Sequence, residues 1–454
     1  MGLSAQGGDV GGDIDNRGIP PLAGICSYEE AARPGLSVDE TVVRLKRYNY
    51  LLRRLQEIGA AHLPSTPEWE VKCAFSLHMW LDAEHASAIR ARIAEMREPP
   101  LHLDHVPDES LEALVEELIR ARGTAELIAG VYVETRAALA VALEEHTQLL
   151  NPLFDHPTYR MLRAILREQE EALSWGRKAN EALVTAANRE QVDQFRAHVR
   201  NYISAAGGIS GTEEPVAASA LSEPRWDGLP YKMDAEPRRD DRFVDPFNVT
   251  ARIDEYAADE SRPADERTWA LAYKRLREMD VPEMIAPIIY KTRGKPWEYY
   301  HDLARQLWDE ARHAMMGEVS LVSLGIPFYA YPILITFSTT MNLQCAPLEA
   351  HAILWNIEQS QMPRKTGKRY ERSIAELNGD DFFTALQDYD WADEVLHVHI
   401  GRRWLPPKDE VRDLLDEVES RLRGLGDAYA ERSSGEEWWP EFVQRAREGR
   451  LLVA

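Results

Sequence analysis

Cysteine is scarce: Cys26, Cys73 and Cys345 are the three in 454 residues, far apart and in no metal-ligand spacing. That excludes a disulfide scaffold and suits a reducing compartment. Long apolar runs are also missing. The segment 326–345 comes nearest, but Pro327, Pro332 and several polar residues interrupt it, and a membrane span needs about 18–20 apolar residues. Basic charge is in short supply: 53 Lys and Arg stand against 76 Asp and Glu, a net charge of −23. A general nucleic-acid or anionic-membrane binder needs the opposite balance. The Gly- and Asp-rich N-terminus has no basic region followed by an apolar stretch, so no signal peptide is expected and the cytoplasm is the default location. What remains is enough chain, 44% of it apolar, to bury cores for two or three domains.

Apolar periodicity and its interruptions predict an all-α chain. Residues 1–36 have no period and read as disordered or draped. Helices are expected from Ser37 or Asp39 to His62, from Glu68 to Arg97, over 108–149, and from Pro157 to Asn188 with an extension to Tyr202. Prolines and glycines at the joints stop each one. Residues 205–262, with Gly207-Gly208, Pro215, Pro224, Pro230, Pro237 and Pro246, read as an irregular linker. The helical pattern returns over 263–407, with a break expected at Pro282. A charged amphipathic helix and a Trp438-Trp439-Pro440 tail fill 408–454. The expectation is two tandem four-helix bundles, 37–204 and 263–407, joined by 205–262.

Two short stretches carry the chemistry. Residues 308–314 read Trp308-Asp309-Glu310-Ala311-Arg312-His313-Ala314, and residues 80–86 read Trp80-Leu81-Asp82-Ala83-Glu84-His85-Ala86. In each, a carboxylate precedes a histidine by three, which on a helix puts both on one face. Glu394-Val395-Leu396-His397 is a third copy. Trp69-Glu70 stands before His85 at the same offset as Trp297-Glu298 before His313, which argues for an internal duplication. One Glu-x-x-His is usually a surface pair. Two on neighbouring helices, with one Glu from each of the other two, make a dimetal carboxylate site. Glu358, with Glu349 in reserve, is the candidate on the third helix. On the first helix the choice is Glu278 or Glu283. Glu283 is favoured because it shares a stripe with Leu276, Met279, Ala286 and Tyr290, whereas Glu278 sits among Lys274, Arg275 and Arg277. Asp309 and Asp393 could orient the histidines from behind.

The N-terminal half offers less. Asp82 and His85 match the motif, and Glu134 and Glu171 mirror Glu358 and Glu394. Yet Ser174 stands where a histidine is needed, so this bundle is read as degenerate.

The C-terminal half resembles the ferritin-like dimetal-carboxylate superfamily. The resemblance rests on Arg277-Glu278-Met279-x-x-x-Glu283, Asp309-Glu310-Ala311-Arg312-His313 and Asp393-Glu394-Val395-Leu396-His397-x-x-Ile400-Gly401-x-x-Trp404. It implies ferritin-like bundles with Glu283, Glu310, His313, Glu358, Glu394 and His397 as metal ligands. It also implies two iron ions, or iron with manganese, and dioxygen as co-substrate. The function expected is a diiron oxygenase, desaturase or N-oxygenase acting on a small organic substrate with an external electron donor. Glu310 and Glu394 would be the catalytic carboxylates, with one or the other bridging the metals. The N-terminal bundle would support the fold, shape the substrate mouth or mediate a homodimer. The rival expectation is a ferritin-like protein that binds iron or a partner without catalysis.

Overall fold

The computed structural model describes residues 15–97, 102–423, 429 and 431–453, and among them every regular element is a helix. No helix among the described residues is long and apolar enough to cross a membrane. The chain forms two compact units, residues 1–55 with 84–231, and residues 56–83 with 232–454.

In the first unit, α1 (Val38–His62) begins behind the expected cap. The Ser37 and Glu40 side chains each accept the other's backbone N–H, at 3.3 and 2.9 Å, a reciprocal capping box. The second helix, α2 (Trp69–Glu95), runs from one unit into the other. The helix expected over 108–149 is broken. It divides into α3 (Glu109–Leu118) and a run over 124–149, α4. Gly123 lies between them at φ +84, a conformation that costs a glycine little. Within α4, residues Ala129–Arg136 form a π-helical stretch. Asp155 caps α5 (His156–Leu183), and the expected extension is a separate helix, α6 (Arg189–Ala205).

In the second unit, α7 (Ala264–Leu276) passes through a 3-10 turn, Arg277–Met279, into α8 (Asp280–Lys291). The break therefore comes before Pro282, which is accommodated in the first turn of α8, where its missing N–H costs nothing. Then follow α9 (Trp297–Ser323), α10 (Thr336–Gln344), α11 (Pro347–Ser360), α12 (Lys368–Asn378), α13 (Asp381–Trp404), α14 (Lys408–Leu422) and α15 (Trp439–Val453). Residues 327–335 are irregular, and α10 and α11 part before Pro347. Helix α9 packs on α7, α8 and α13. Helix α13 packs on α11 and α12, and α11 closes the circuit on α8.

Two glycines let the circuit close. A Cβ at Gly317 of α9 would overlap the backbone of Leu276, and one at Gly401 of α13 would overlap the Trp355 ring of α11. The tail expected at 438–440 is core. Trp438, Trp439 and Phe442 pack around Tyr273 and Tyr331. Part of the irregular 232–262 segment is core as well, since Phe243 lies 5.7 Å from Trp69 and 5.9 Å from Phe328, ring to ring. Trp80 and Trp308, equivalent positions of the repeat, stack at 6.4 Å with planes 8° apart.

Two outcomes test this packing. Gly317→Ala should destabilise the chain by roughly 1–3 kcal/mol, because backbone rather than a movable side chain blocks the added methyl. His146, fully buried beside Tyr48, finds no hydrogen-bond partner for either ring nitrogen. Burial, helped by the Arg44 charge, pushes its pKa down to about 3. A depressed pKa means stability present above the unfolded value near 6.5 and lost as pH falls. Urea unfolding between pH 7.5 and pH 5 should cost the wild type about 2 kcal/mol more than it costs His146→Leu.

Candidate metal centre

Four segments of the second unit aim carboxylates and imidazoles at one buried place. Glu310 and His313 lie one turn apart on α9, and Glu394 and His397 one turn apart on α13. Glu358 comes from α11 and Glu278 from the 3-10 turn. His313 and His397 have no solvent exposure, and Glu310, Glu358 and Glu394 are buried. The donors fall into two groups: Glu310, Glu358, Glu394 and His397 in one, Glu278, His313 and Asp390 in the other.

Glu310 joins the groups. Its Oε1 lies 3.1 Å from His397 Nδ1 and its Oε2 lies 3.5 Å from His313 Nδ1. Around His397 Nδ1 stand Glu394 Oε2 at 3.5 Å and Glu358 Oε1 at 3.9 Å. Around His313 Nδ1 stand Glu278 Oε2 at 3.4 Å and Asp390 Oδ1 at 3.5 Å. Two donors held about 2.1 Å from one cation are roughly 3.0–3.4 Å apart in octahedral or tetrahedral geometry. The spacings at both histidines are near that range.

The far side of each imidazole is held crosswise. His313 on α9 meets Asp393 of α13 at 3.2 Å, and His397 on α13 meets Asp309 of α9 at 3.4 Å, both through Nε2. Arg312 bonds both aspartates, at 2.8 Å to Asp393, and Arg305 bonds Asp309 at 2.8 Å. Donation from Nε2–H to a carboxylate fixes the tautomer and turns a lone pair on Nδ1 inward, the arrangement a metal-ligating histidine needs.

The electrostatics show a surplus of negative charge. Burial opposes protonation of His313, yet Asp393, Glu278 and Glu310 raise its pKa well above the ordinary histidine value. Asp309, Glu310 and Glu394 do the same for His397. Burial and the neighbouring Glu394 charge push Glu358 well up. Burial also acts to raise Glu310, but its close approach to both imidazoles holds it at about 2. A ring of buried carboxylates without enough positive charge takes up protons instead.

Five buried atoms of the two groups make no hydrogen bond: Glu278 Oε2, His313 Nδ1, Asp390 Oδ2, Glu394 Oε2 and His397 Nδ1. Buried polar atoms are nearly always partnered. Hard anionic oxygens with two imidazoles form a ligand set for iron, manganese or zinc. The residues present could hold a metal ion in each group.

One expected ligand is elsewhere. Glu283 lies outside both groups, and its carboxylate is taken by Lys72 and Arg239, all three buried. The stripe that favoured it is buried, Glu283 included, but that carboxylate meets Lys72 and Arg239 rather than the cluster. The 3-10 turn at Arg277–Met279 winds three residues per turn, and Glu278 reaches the cluster from it. Arg275, one of the basic neighbours that weighed against Glu278, is fully buried and pairs with it at 3.0 Å. Two participants had no place in the expected set. Asp390 lies on the α13 stripe Phe383, Gln387, Asp390, Glu394, His397, Gly401, which is all buried, so extending the motif one turn backwards would have found it. Lys368, in a stretch expected to be a basic loop, is buried in the cluster. Its Nζ lies 2.7 Å from Glu394 and 2.9 Å from Asp390. No local signal marks it. Glu349 is remote from the centre, capping α11 and pairing with Arg421.

The N-terminal residues are placed differently. His85 meets Glu168 at 2.5 Å and Gln169 at 3.2 Å. Glu134 is paired with Arg196 at 2.7 Å and Arg200 at 2.9 Å, and Glu171 with Arg167 at the surface. Asp82 is buried in the second unit. None joins a candidate metal cluster among the described residues.

A cavity of about 350 Å³ reaches the centre. Asp254, Lys274 and Arg277 stand at one end, Val281, Leu334, Phe337, Leu354 and Ile357 line it, and Glu278, Glu310, Glu358, Glu394 and Lys368 reach it from the cluster. Its volume is that of a small-ligand site, and its lining residues are mostly charged and polar, with the five apolar side chains forming one part of the wall.

The Glu283 correction is testable. Glu283→Gln should leave metal content at the wild-type level while lowering stability by about 3–5 kcal/mol, since Lys72 and Arg239 lose their buried counter-ion. Elemental analysis and urea unfolding of the same preparation read both. No protein-family model, no curated protein and no solved structure matches this chain.

Proposed function

We propose that this chain is a dioxygen-dependent oxidoreductase of ferritin-like, tandem-bundle type, whose second unit holds two iron ions, or iron and manganese, at the Glu310-centred site. The observation that carries the reading is the sharing of Glu310 between two histidine-centred donor groups, five of whose buried atoms have no hydrogen-bond partner. Bound there, two redox-active metals would supply the electrons that activate dioxygen and the oxidant that attacks a substrate carbon or nitrogen.

The chain's own residues have separable roles. Glu310 would span the metals, with Glu358, Glu394 and His397 completing one position and Glu278, His313 and Asp390 the other. Asp309 and Asp393 would hold both imidazoles in the tautomer and orientation that aim Nδ1 at the cluster. Arg305 and Arg312 hold those aspartates in place. Val281, Leu334, Phe337, Leu354 and Ile357 would seat a small organic substrate and exclude water from the cluster. Low water content strengthens every electrostatic contact in the site. An external reductant would restore the metals after each cycle.

Arg275 and Lys368 favour a second reading, a ferritin-like protein without catalysis. Two protein cations already sit among the carboxylates, as they would in a polar core that never holds metal.

Elemental analysis after anaerobic loading with Fe(II) separates the two, followed by oxygen-electrode measurement of dioxygen uptake. The wild type should retain iron and consume dioxygen. Glu310→Ala should lose metal from both positions and His397→Ala the bulk of it, while His85→Ala retains the wild-type amount. A wild type that holds no iron supports the second reading. Loss of iron in His85→Ala alone would move the site to the other half of the chain.

A further inference from the structure

The two donor groups are not equivalent, and the difference is a lysine. Around His397 Nδ1, the facing atoms are Glu310 Oε1, Glu394 Oε2 and Glu358 Oε1. Among the described residues, no lysine or arginine hydrogen-bonds any of the three. Lys368 holds the other oxygen of Glu394, Oε1, and Glu358 Oε1 accepts only a 3.3 Å bond from the Gln306 amide. Around His313 Nδ1 the situation is reversed. Asp390 Oδ1, which faces the imidazole, is the same atom that accepts from Lys368 Nζ at 2.9 Å and from Arg275. Glu278, which faces it through Oε2, is held through Oε1 by Arg275 at 3.0 Å, with Lys368 at 3.8 Å.

Charge points the same way. The two groups contain five carboxylates, Glu278, Glu310, Glu358, Asp390 and Glu394. Arg275 and Lys368 offset two of them, and a first divalent cation at His397 offsets two more. A second divalent cation would then meet one uncompensated negative charge, on two carboxylates, Glu278 and Asp390, that each already give one oxygen to a protein cation. With Lys368 neutral, two divalent cations and Arg275 would balance the five carboxylates. A single unit of charge at such range is a large effect in a buried site. Lys368 is about 1% exposed, so water screens it little. It enters from the first turn of α12, outside the helices that bear the donors, and the Gly367 N-cap leaves its backbone at a helix edge.

We propose that Lys368 is a built-in cation that guards the His313 position, so that the chain binds one divalent metal tightly at His397 and a second only weakly at His313. This rests on the metal reading of the site and adds an order of filling to it. A centre filled in this way can take two different metals in turn, one for each position.

Mn(II) titration of the full-length, chelator-stripped chain tests it, with free Mn(II) counted by electron paramagnetic resonance. The wild type should show one tight Mn(II) and a second weaker by about 100-fold or more. Lys368→Met should bring the second to within about tenfold of the first, and Lys368→Arg should keep the wild-type gap. Glu278→Gln should remove the weak step and leave the tight one. Should Lys368→Met fail to fold, Glu278→Gln and Lys368→Arg still decide the matter against the wild type. Two equally tight sites in the wild type, or an unchanged gap in folded Lys368→Met, would overturn the proposal and leave the metal site standing. No Mn(II) binding in the wild type would overturn both.

Discussion

Five carboxylates share one water-poor space in the second unit, and their repulsion is the constraint that the arrangement around them answers. An isolated buried carboxylate is costly, and several together cost far more unless positive charge is close. Arg275 and Lys368 supply part of that charge from within the chain. The raised pKa values of His313, His397 and Glu358 show that the part is insufficient. A metal-free cluster must hold protons where cations would sit. The site is therefore better understood as an unfinished charge balance than as a set of side chains that happen to meet.

Holding such a cluster together requires helices that cannot drift apart. Gly317 brings α9 against α7, and Gly401 brings α13 against α11. The crosswise Asp309–His397 and Asp393–His313 contacts then lock α9 to α13 through the two histidines themselves. Helix α12 adds Lys368, and Glu371 of the same helix bonds Lys274 at 2.6 Å, so its position is tied to α7. The aromatic layer of Tyr273, Tyr331, Trp438, Trp439 and Phe442 supports α7 from the far side. Lys72, far away in sequence, occupies Glu283 and keeps a sixth carboxylate out of the cluster. Packing and charge are thus solved by the same few contacts.

Helices and their faces were legible wherever the determinants are local. The repeated acid-x-x-His spacing located Glu310, His313, Glu394 and His397 because a helix turns a three-residue offset into a shared face. Glu358 followed from its apolar surroundings. Stripe counting placed Glu283 inward, and it is fully buried, but no local pattern shows that Lys72 and Arg239 take its carboxylate or that a 3-10 turn brings Glu278 to the cluster. The break in 108–149 depended on Gly123 taking a left-handed conformation, which periodicity cannot reveal. Asp390 was within reach of the same stripe that gave His397. Lys368 was not, because only tertiary packing buries a residue from a stretch rich in Arg and Lys. The Trp438-Trp439 tail became core for the same reason.

The most direct test is anomalous diffraction from crystals of the full chain grown with Mn(II) or Fe(II). The account predicts a metal peak bonded to His397 Nδ1, Glu310 and Glu394 at about 2.0–2.3 Å, with a second, weaker peak beside His313 that shares Glu310. Metal bound away from Glu310, or electron density showing the five carboxylates paired with protein groups alone at saturating metal, would contradict it.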